Sequence, residues 1–163
     1  MNTIVNASPL IFLAKLDYLE ALGIFNKVYM ADIVIEEIRA GLEKGYPDAI
    51  RVTNMVETGK LTVMVGEEPK IPVKGLHPGE ASVIQLARKL GIKDVIIDDR
   101  HAIAAAKYFG LRPASTPYLL LLNVKNGKLG KKRFRSLMDG LMGQGYYISP
   151  RLYLRIMEVA GAL

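Results

Sequence analysis

Acidic and amide side chains occur where a parallel α/β chain would gather them. Asn6 ends a strand predicted over 3–6, and Asp98 and Asp99 come directly after a strand predicted over 94–97. Ligand sites in open parallel sheets lie beyond the carboxyl ends of the strands. We therefore expect these side chains at one edge of the sheet, where their oxygen atoms could bind a divalent cation. The simpler interpretation is that one of the two aspartates caps the next helix.

Two glutamates on predicted helices are candidates for the same site. Glu80 lies in the first turn of a helix predicted over 78–90, on the face that carries the apolar residues. A buried carboxylate needs a partner, and the helix N-terminus could supply one without any ligand. On the helix predicted over 32–39, Glu37 lies nearer the apolar face than Glu36, so we favour Glu37.

These carboxylates would repel one another if they met in one pocket. Two like charges about 5 Å apart cost roughly 3 kcal/mol at an effective dielectric constant near 20. A bound dication would neutralise the group formed by Glu37, Glu80, Asp98 and Asp99. With no Cys and only two His in the sequence, oxygen ligands dominate, which favours Mg²⁺ or Mn²⁺ over Zn²⁺.

The composition limits the class of protein. The chain has 163 residues, of which 50% are hydrophobic and 23% charged, so we expect one folded domain and no disordered chain. The absence of Cys excludes disulfides, thiolate metal sites and a Cys nucleophile. The stretches without charged residues are shorter than a membrane span, and no secretory leader is recognisable. We expect a cytoplasmic protein without a membrane partner.

The positive charge is concentrated in one segment. The net charge is +6, and the acid-free segment 125–135 carries six cationic residues, so the rest of the chain is formally neutral. They are Lys125, Lys128, Lys131, Lys132, Arg133 and Arg135. This basic segment could contact nucleic-acid phosphates or could simply be a solvated helix surface. Tyr146 and Tyr147 could stack on unpaired bases, or alternate between core and surface.

The order of predicted elements indicates the fold class. Strands are predicted over 3–6, 27–30, 61–65 and 94–97, and helices over 10–16, 17–22, 32–39, 48–58, 78–90, 100–109, 116–125, 131–142 and 150–160. This alternation predicts a three-layer α/β/α fold with a central parallel sheet of four or five strands. We expect a single domain over 1–163, with an α/β core in 1–124 and a basic helical C-terminal extension in 125–163.

Ordered sequence blocks across nearly the whole chain resemble one known family. They are Asn6-Ala7-Ser8-Pro9-Leu10-Ile11, Ile33-Val34-Ile35-Glu36-Glu37-Ile38, Gly79-Glu80-Ala81, Val95-Ile96-Ile97-Asp98-Asp99-Arg100, Ser115-Thr116 and Ile148-Ser149-Pro150-Arg151-Leu152-Tyr153. Together they resemble the PIN-domain (PilT N-terminus) family of metal-dependent ribonucleases and VapC-type toxins. The Asn-Ala-Ser-Pro-Leu-Ile opening resembles a subgroup with Asn in place of the first acidic residue.

The resemblance implies roles for residues at matching positions. In the family, acidic side chains hold one or two divalent cations, and water attacks a phosphodiester. Glu37, Glu80 and Asp99 match acidic positions, and Asp98 is an additional acid. Asn6 stands where the typical nuclease has Asp, so it keeps an oxygen ligand but cannot act as a general base. The resulting ligand set is Asn6, Glu37, Glu80, Asp98 and Asp99, with Asn6, Ser8 and Thr116 as supporting groups.

Three functions remain open at this point. The first is an Mg²⁺- or Mn²⁺-dependent ribonuclease acting on single-stranded or structured RNA. The resemblance further implies that this ribonuclease is the toxin of a toxin-antitoxin pair, with a small antitoxin as its partner, and that it forms a homodimer. The second is a nucleic-acid-binding module with weak or no catalysis, because Asn6 replaces an acid. The third is a phosphoacceptor signalling domain, which usually has an acidic pair where this chain has Asn6.

Overall fold

The computed structural model describes residues 1–66 and 74–163. The strands in chain order are Asn2–Val5 (β1), Lys27–Ala31 (β2), Thr62–Met64 (β3), Asp94–Ile96 (β4) and Arg112–Ala114 (β5). The α-helices are Ala7–Lys15 (α1), Asp32–Glu43 (α2), Pro47–Glu57 (α3), Pro78–Leu90 (α4), Arg100–Tyr108 (α5), Thr116–Lys125 (α6), Lys131–Gly143 (α7) and Pro150–Ala160 (α8). A 3₁₀ helix covers Leu19–Ile24.

The strands form one parallel sheet in the order β3-β2-β1-β4-β5. β1 is central, and its Ile4 lies opposite Tyr29 on β2 and Val95 on β4. Helices cover both sides of the sheet, which explains why Ile4 and Val95 are completely buried. The predicted α/β/α fold with a central parallel sheet and C-terminal helices is confirmed, and the sheet has five strands.

The C-terminal helices share the core of the α/β part. Phe134 and Met138 on α7 and Met157 on α8 are buried in the same hydrophobic cluster as Ile4. α6 packs against both α7 and α8. The segment from 125 onward therefore contributes to the core instead of projecting from it. In residues 1–66 and 74–163, no helix is both long and apolar enough to cross a bilayer.

Several predicted boundaries were wrong for identifiable reasons. β5 was not predicted because it contains Pro113, which lacks an N–H, but β5 is an edge strand and an edge tolerates proline. α2 continues through Gly41, which was predicted to lie past its end; a Cβ there would come 3.1 Å from Tyr46 Cδ2. The predicted helix over 17–22 is instead the 3₁₀ helix.

Other boundaries match closely. α4 begins at Pro78 and ends at Leu90, with Gly91 in the left-handed conformation that its sequence position predicts. α8 begins after Ser149, whose Oγ accepts a hydrogen bond from the Leu152 N–H. Of the predicted loop over 66–75, residues 67–73 lie outside the described residues.

Candidate active site

A cavity of about 550 Å³ lies at the edge of the sheet where β1 ends. Asn6 follows β1, Glu37 lies on α2 and Glu80 lies in the first turn of α4, and all three line this cavity together with Ser8. Three predicted ligand residues that are distant in the sequence therefore meet in one pocket. The parallel arrangement brings them together, because it places the carboxyl ends of the strands on one side.

Asn6 occupies the N-cap position of α1, where its backbone is extended, yet its side chain caps nothing. An asparagine at this position normally accepts a hydrogen bond from the second or third helical residue. The third residue here is Pro9, which has no N–H to donate. In the described part of the chain, Asn6 Oδ1 is buried without a hydrogen-bond partner, and the Ser8 N–H does not donate to it either. The helix also begins at Ala7, three residues before the start predicted at residue 10.

An unpartnered buried oxygen is costly to a folded protein. Leaving such an acceptor unsatisfied costs about 1–3 kcal/mol of stability. Asn6 is only 7% exposed and lines the cavity with Glu37 and Glu80. Asn6 is thus a cavity-lining residue whose amide oxygen no protein donor satisfies.

Glu80 combines a structural contact with an unfavourable electrostatic environment. The N–H of His77, the N-cap residue of α4, donates to Glu80 Oε2 at 3.1 Å. Burial raises the pKa of Glu80, and the nearby Asp99 charge raises it further, while the His77 N–H and the charges of His77 and His101 act in the opposite direction. The helix-capping role considered from the sequence is thus real, but it does not remove the repulsion from Asp99.

Glu37 is electrostatically coupled to Glu80 across the cavity. Its side chain lies at the solvent-accessible rim, and partial burial followed by the Glu80 charge raises the pKa of Glu37, with His77 opposing. A series of carboxylates therefore runs from Glu37 through Glu80 to Asp99, each disfavouring the charge of the next. A cation in the cavity would relieve this repulsion.

Asp99 is the aspartate that caps the following helix. Its Oδ1 accepts a hydrogen bond of 2.9 Å from the Ala102 N–H at the start of α5. The residue is exposed and does not line the cavity, although its charge influences Glu80.

Asp98 faces protein donors instead of the cavity. Its Oδ1 accepts from the Thr116 N–H at 2.7 Å and from the Tyr146 hydroxyl at 2.8 Å, and its Oδ2 accepts from Thr116 Oγ1 at 2.7 Å. Burial raises the pKa of Asp98, and these hydrogen bonds partly offset that effect. Asp98 thus joins the end of β4 to the start of α6 and to the chain after α7. Thr116, predicted as a supporting hydroxyl, supports Asp98.

Tyr146 completes this junction. Its ring packs edge-on against Phe12 of α1 with the centroids 5.2 Å apart. Burial and the adjacent Asp98 carboxylate raise the pKa of the Tyr146 hydroxyl far above its usual value. Tyr147, in contrast, is 78% exposed. The sequence could not reveal the contact between Tyr146 and Asp98, because no local periodicity relates residues 48 positions apart.

The donors in the cavity suit one class of metal ion. Across residues 1–66 and 74–163, no three His, Cys, Asp or Glu side chains are grouped closely enough to hold a metal by themselves. Mg²⁺ seldom needs such a cage, because it keeps several waters and is bound through one or two carboxylates plus substrate phosphate. Glu37, Glu80 and the free Asn6 Oδ1 match that pattern.

The basic segment lies at the opposite end of α7 from the cavity. Near the start of α7, Arg133 forms an ion pair of 3.2 Å with Glu20 and lies over the Tyr18 ring at 4.6 Å. Gln144, just after α7, lines the cavity. With a rise of 1.5 Å per residue, roughly 16 Å of helix separates Arg133 from Gln144. All six predicted nucleic-acid-binding residues of 125–135 are exposed, but they do not line the cavity.

Sequence reasoning did not identify two polar residues that line the cavity, Lys15 and Gln144. Lys15 could have been found, since it lies seven positions after Ser8 and so on the same face of α1. Gln144 carried no such signal, because its place depends on how α7 packs.

Comparisons with known proteins bear on what this pocket does. Residues 2–162 match the family described as a PIN domain. A comparison with curated proteins finds no match. PIN domains in general are nuclease-type domains that bind nucleic acids and use divalent metal ions.

Proposed function

We propose that this chain, which belongs to the PIN-domain family, is a divalent-metal-dependent ribonuclease whose active site is the cavity beyond β1. The observation that carries the proposal is the buried, unpartnered Asn6 Oδ1 beside the mutually repelling Glu37 and Glu80. The buried Asn6 Oδ1, together with Glu37 and Glu80, whose charged forms burial and neighbouring acids disfavour, supports a bound hard cation in this pocket.

The ligand set proposed for Mg²⁺ or Mn²⁺ is Asn6, Glu37 and Glu80, with Asp99 adding negative charge next to Glu80. When bound, such an ion activates water and polarises a phosphoryl oxygen. The Ser8 hydroxyl, which also lines the cavity, can donate a hydrogen bond to a phosphate oxygen of the substrate.

Hydrolysis requires a proton acceptor among the residues of this chain. A bond forms between the water oxygen and phosphorus, and one bond from phosphorus to a ribose oxygen breaks. The amide of Asn6 cannot take the proton that water loses, so a carboxylate must. Glu37 is suited to this role, because its side chain is accessible to water and has a second carboxylate oxygen besides the one that would hold the ion. The departing ribose oxygen takes a proton from solvent.

Asp98 and Thr116 support the site in this proposal without touching the metal. Both Asp98 oxygens already accept hydrogen bonds from Thr116 or Tyr146. This differs from the role that the resemblance implies for Asp98. Its function here is to hold the end of β4 and the start of α6 together.

A matched pair of variants tests the proposal. Glu37→Gln should abolish Mn²⁺-dependent cleavage of single-stranded RNA and reduce the rise in melting temperature that Mn²⁺ causes. Glu36→Gln changes the neighbouring, exposed residue on α2, which pairs with Arg39 and does not line the cavity, so both responses should be retained. Glu80→Gln should behave like Glu37→Gln. Equal activity in both α2 variants would exclude this active site.

The second candidate function is a nucleic-acid-binding module without catalysis. It is favoured by Asn6, because an amide in place of a carboxylate leaves the cavity one negative charge short of the typical nuclease. The two functions differ in one experiment. Wild-type protein that binds RNA but does not cleave it, together with an Asn6→Asp variant that does, would support the module.

The finer assignments are proposals of the same kind. We propose a cytoplasmic toxin that forms a homodimer and is held by a small antitoxin. Exposed apolar side chains on α8 support a protein partner; they are Leu152, Leu154 and Val159. The solution mass measured by light scattering tests the homodimer, and a monomer at micromolar concentration would contradict it.

The basic segment is proposed to bind RNA outside the cavity. Its residues are exposed and lie at the far end of α7, where they can contact phosphates several nucleotides from the cleavage point. This arrangement would give a long substrate more affinity than a short one.

A further inference from the structure

The cavity continues along α1 beyond the carboxylates. Ser8, Ile11, Phe12 and Lys15 all line it, and their spacing of three, four and seven places them on one face of the helix. With a rise of 1.5 Å per residue, about 10 Å separates Ser8 from Lys15 along the axis. The single cavity therefore has an acidic end near Asn6 and a second end near Lys15.

The second end differs chemically from the first. Lys15 is the one Lys or Arg among the described residues that line the cavity. Within residues 1–66 and 74–163 the Lys15 ammonium group makes no ion pair, and the side-chain amide of Gln144 makes no hydrogen bond. Ile11 and Phe12 are half-buried and provide an apolar surface between the two ends.

Gln144 is held at the cavity by the junction described above. α7 ends at Gly143, and Gly145 adopts a φ of +90°, which reverses the chain. Tyr146 then packs against Phe12, and its hydroxyl donates to Asp98. The chain on the far side of Gln144 is thus anchored to both α1 and the end of β4, so the backbone of Gln144 is held at the cavity before any ligand binds.

We propose that Lys15, Gln144 and the surface of Ile11 and Phe12 form a second subsite, which binds the nucleotide next to the cleaved phosphate of a single-stranded RNA. This inference rests on the proposed function. Lys15 pairs with a phosphate, the Gln144 amide bonds a ribose hydroxyl or base edge, and the unstacked base lies on the apolar surface. A cavity of 550 Å³ is in the size range of small-ligand pockets, so it takes an unpaired nucleotide and not a duplex.

Two substitutions separate the charge from the amide. Lys15→Met should raise the KM for cleavage of a short single-stranded RNA about tenfold and leave kcat nearly unchanged, because the lost contact is a charged one remote from the reacting phosphate. The slope of log(kcat/KM) against log[salt] should become shallower by about 0.7, the value for one phosphate contact on a single strand. Gln144→Leu should raise KM without changing this slope. Lys107→Met is the matched control, since Lys107 also lies in the last turn of its helix but not at the cavity.

The same variants are measured for direct binding of the RNA by fluorescence anisotropy in Mn²⁺, which keeps the two proposals distinguishable. Absence of cleavage by the wild-type protein would overturn the ribonuclease, yet a weaker affinity of Lys15→Met than of Lys107→Met would still support the subsite. If Lys15→Met and Lys107→Met bind and cleave alike, or if no RNA binding is detected, the subsite is wrong. Lys15 is exposed, so its variant should fold normally, and the melting temperature checks this.

Discussion

Gly79 and Glu37 approach each other so closely that a Cβ atom at residue 79 would come 2.6 Å from Glu37 Oε1. Gly79 lies in the first turn of α4, directly before Glu80. α4 therefore presents one carboxylate to the cavity and leaves space for a second one from α2. In the Gly79-Glu80 pair, Gly79 leaves room for the Glu37 side chain and Glu80 provides the second carboxylate.

Gly79→Ala should separate activity from stability. The added methyl group must displace the Glu37 carboxylate, so RNA cleavage should fall at least about tenfold, the equivalent of 1.4 kcal/mol. Metal-free stability should be unchanged or higher, because alanine is favoured over glycine in helices by roughly 0.5–1 kcal/mol. Steady-state cleavage and thermal melting in EDTA measure the two effects. Gly23→Ala is the control, because a Cβ at residue 23 would meet nothing within 4 Å. Full activity of Gly79→Ala would show that the position of the Glu37 carboxylate is unimportant for cleavage.

Asn6→Asp should destabilise the metal-free protein and strengthen its response to metal. It places a charge on an unpartnered buried oxygen beside Glu80, and leaving a charged group unsatisfied costs at least the roughly 1–3 kcal/mol of a neutral one. In a domain of this size that corresponds to a melting temperature lower by roughly 2–12 °C. Added Mn²⁺ should recover more than this loss, as measured by melting with and without the ion. Asn26→Asp, at an exposed residue, should change neither the melting temperature nor its response to Mn²⁺. Identical metal responses of Asn6→Asp and wild type would contradict the assignment of Asn6 Oδ1 as a ligand.

Substitution of Lys131 and Lys132 by Ala should weaken binding of long RNA only. Both residues are exposed at the start of α7, far from the cavity. For a long single strand, the slope of log K against log[salt] should become shallower by about 0.7 for each lost phosphate contact. An oligonucleotide short enough to occupy only the cavity should bind both proteins equally in anisotropy titrations. A similar loss for short and long RNA would place the basic segment at the cleavage site instead.

The metal-free protein should show a characteristic pH dependence of stability. Burial, the largest cause, raises the pKa of Glu80, so the folded state holds this proton more tightly than the unfolded chain does. Stability contributed by the protonated group is therefore lost as pH rises from the ordinary Glu range, near 4.3, through the raised value. In EDTA, Glu80→Gln should gain melting temperature relative to wild type as pH rises from about 4 to 7. A melting-temperature difference that stays constant over this pH range would contradict the raised pKa.

Local patterns predicted the elements that position the acids. Pro78 and Gly91 delimit α4, and the apolar face of that helix turns Glu80 inward. The choice of Glu37 over Glu36 also followed from helix phase, and Glu37 lines the cavity whereas Glu36 pairs with Arg39. These inferences succeed because helix geometry depends on residues within a few positions of one another.

Other features depended on partners far along the chain. Pro113 lies within a strand because β5 is an edge strand, and Gly41 lies within α2. Asp98 and Asp99 have the same chemistry and are adjacent in sequence, but Asp99 caps α5 while Asp98 accepts hydrogen bonds from Thr116 and Tyr146. No local rule distinguishes them.

The sequence by itself determined the parallel α/β fold, because alternating apolar strands and amphipathic helices can bury their surfaces in few other ways. It also predicted that Asn6, Glu37 and Glu80 lie at a common edge, and all three line one cavity there. Only the tertiary structure decided that Asn6 Oδ1 stays unpartnered, that Asp98 supports α6, and that α7 carries Gln144 to the cavity and the basic segment away from it. Such outcomes depend on which surfaces pack together over long sequence separations, and periodicity within a single element holds no information about that.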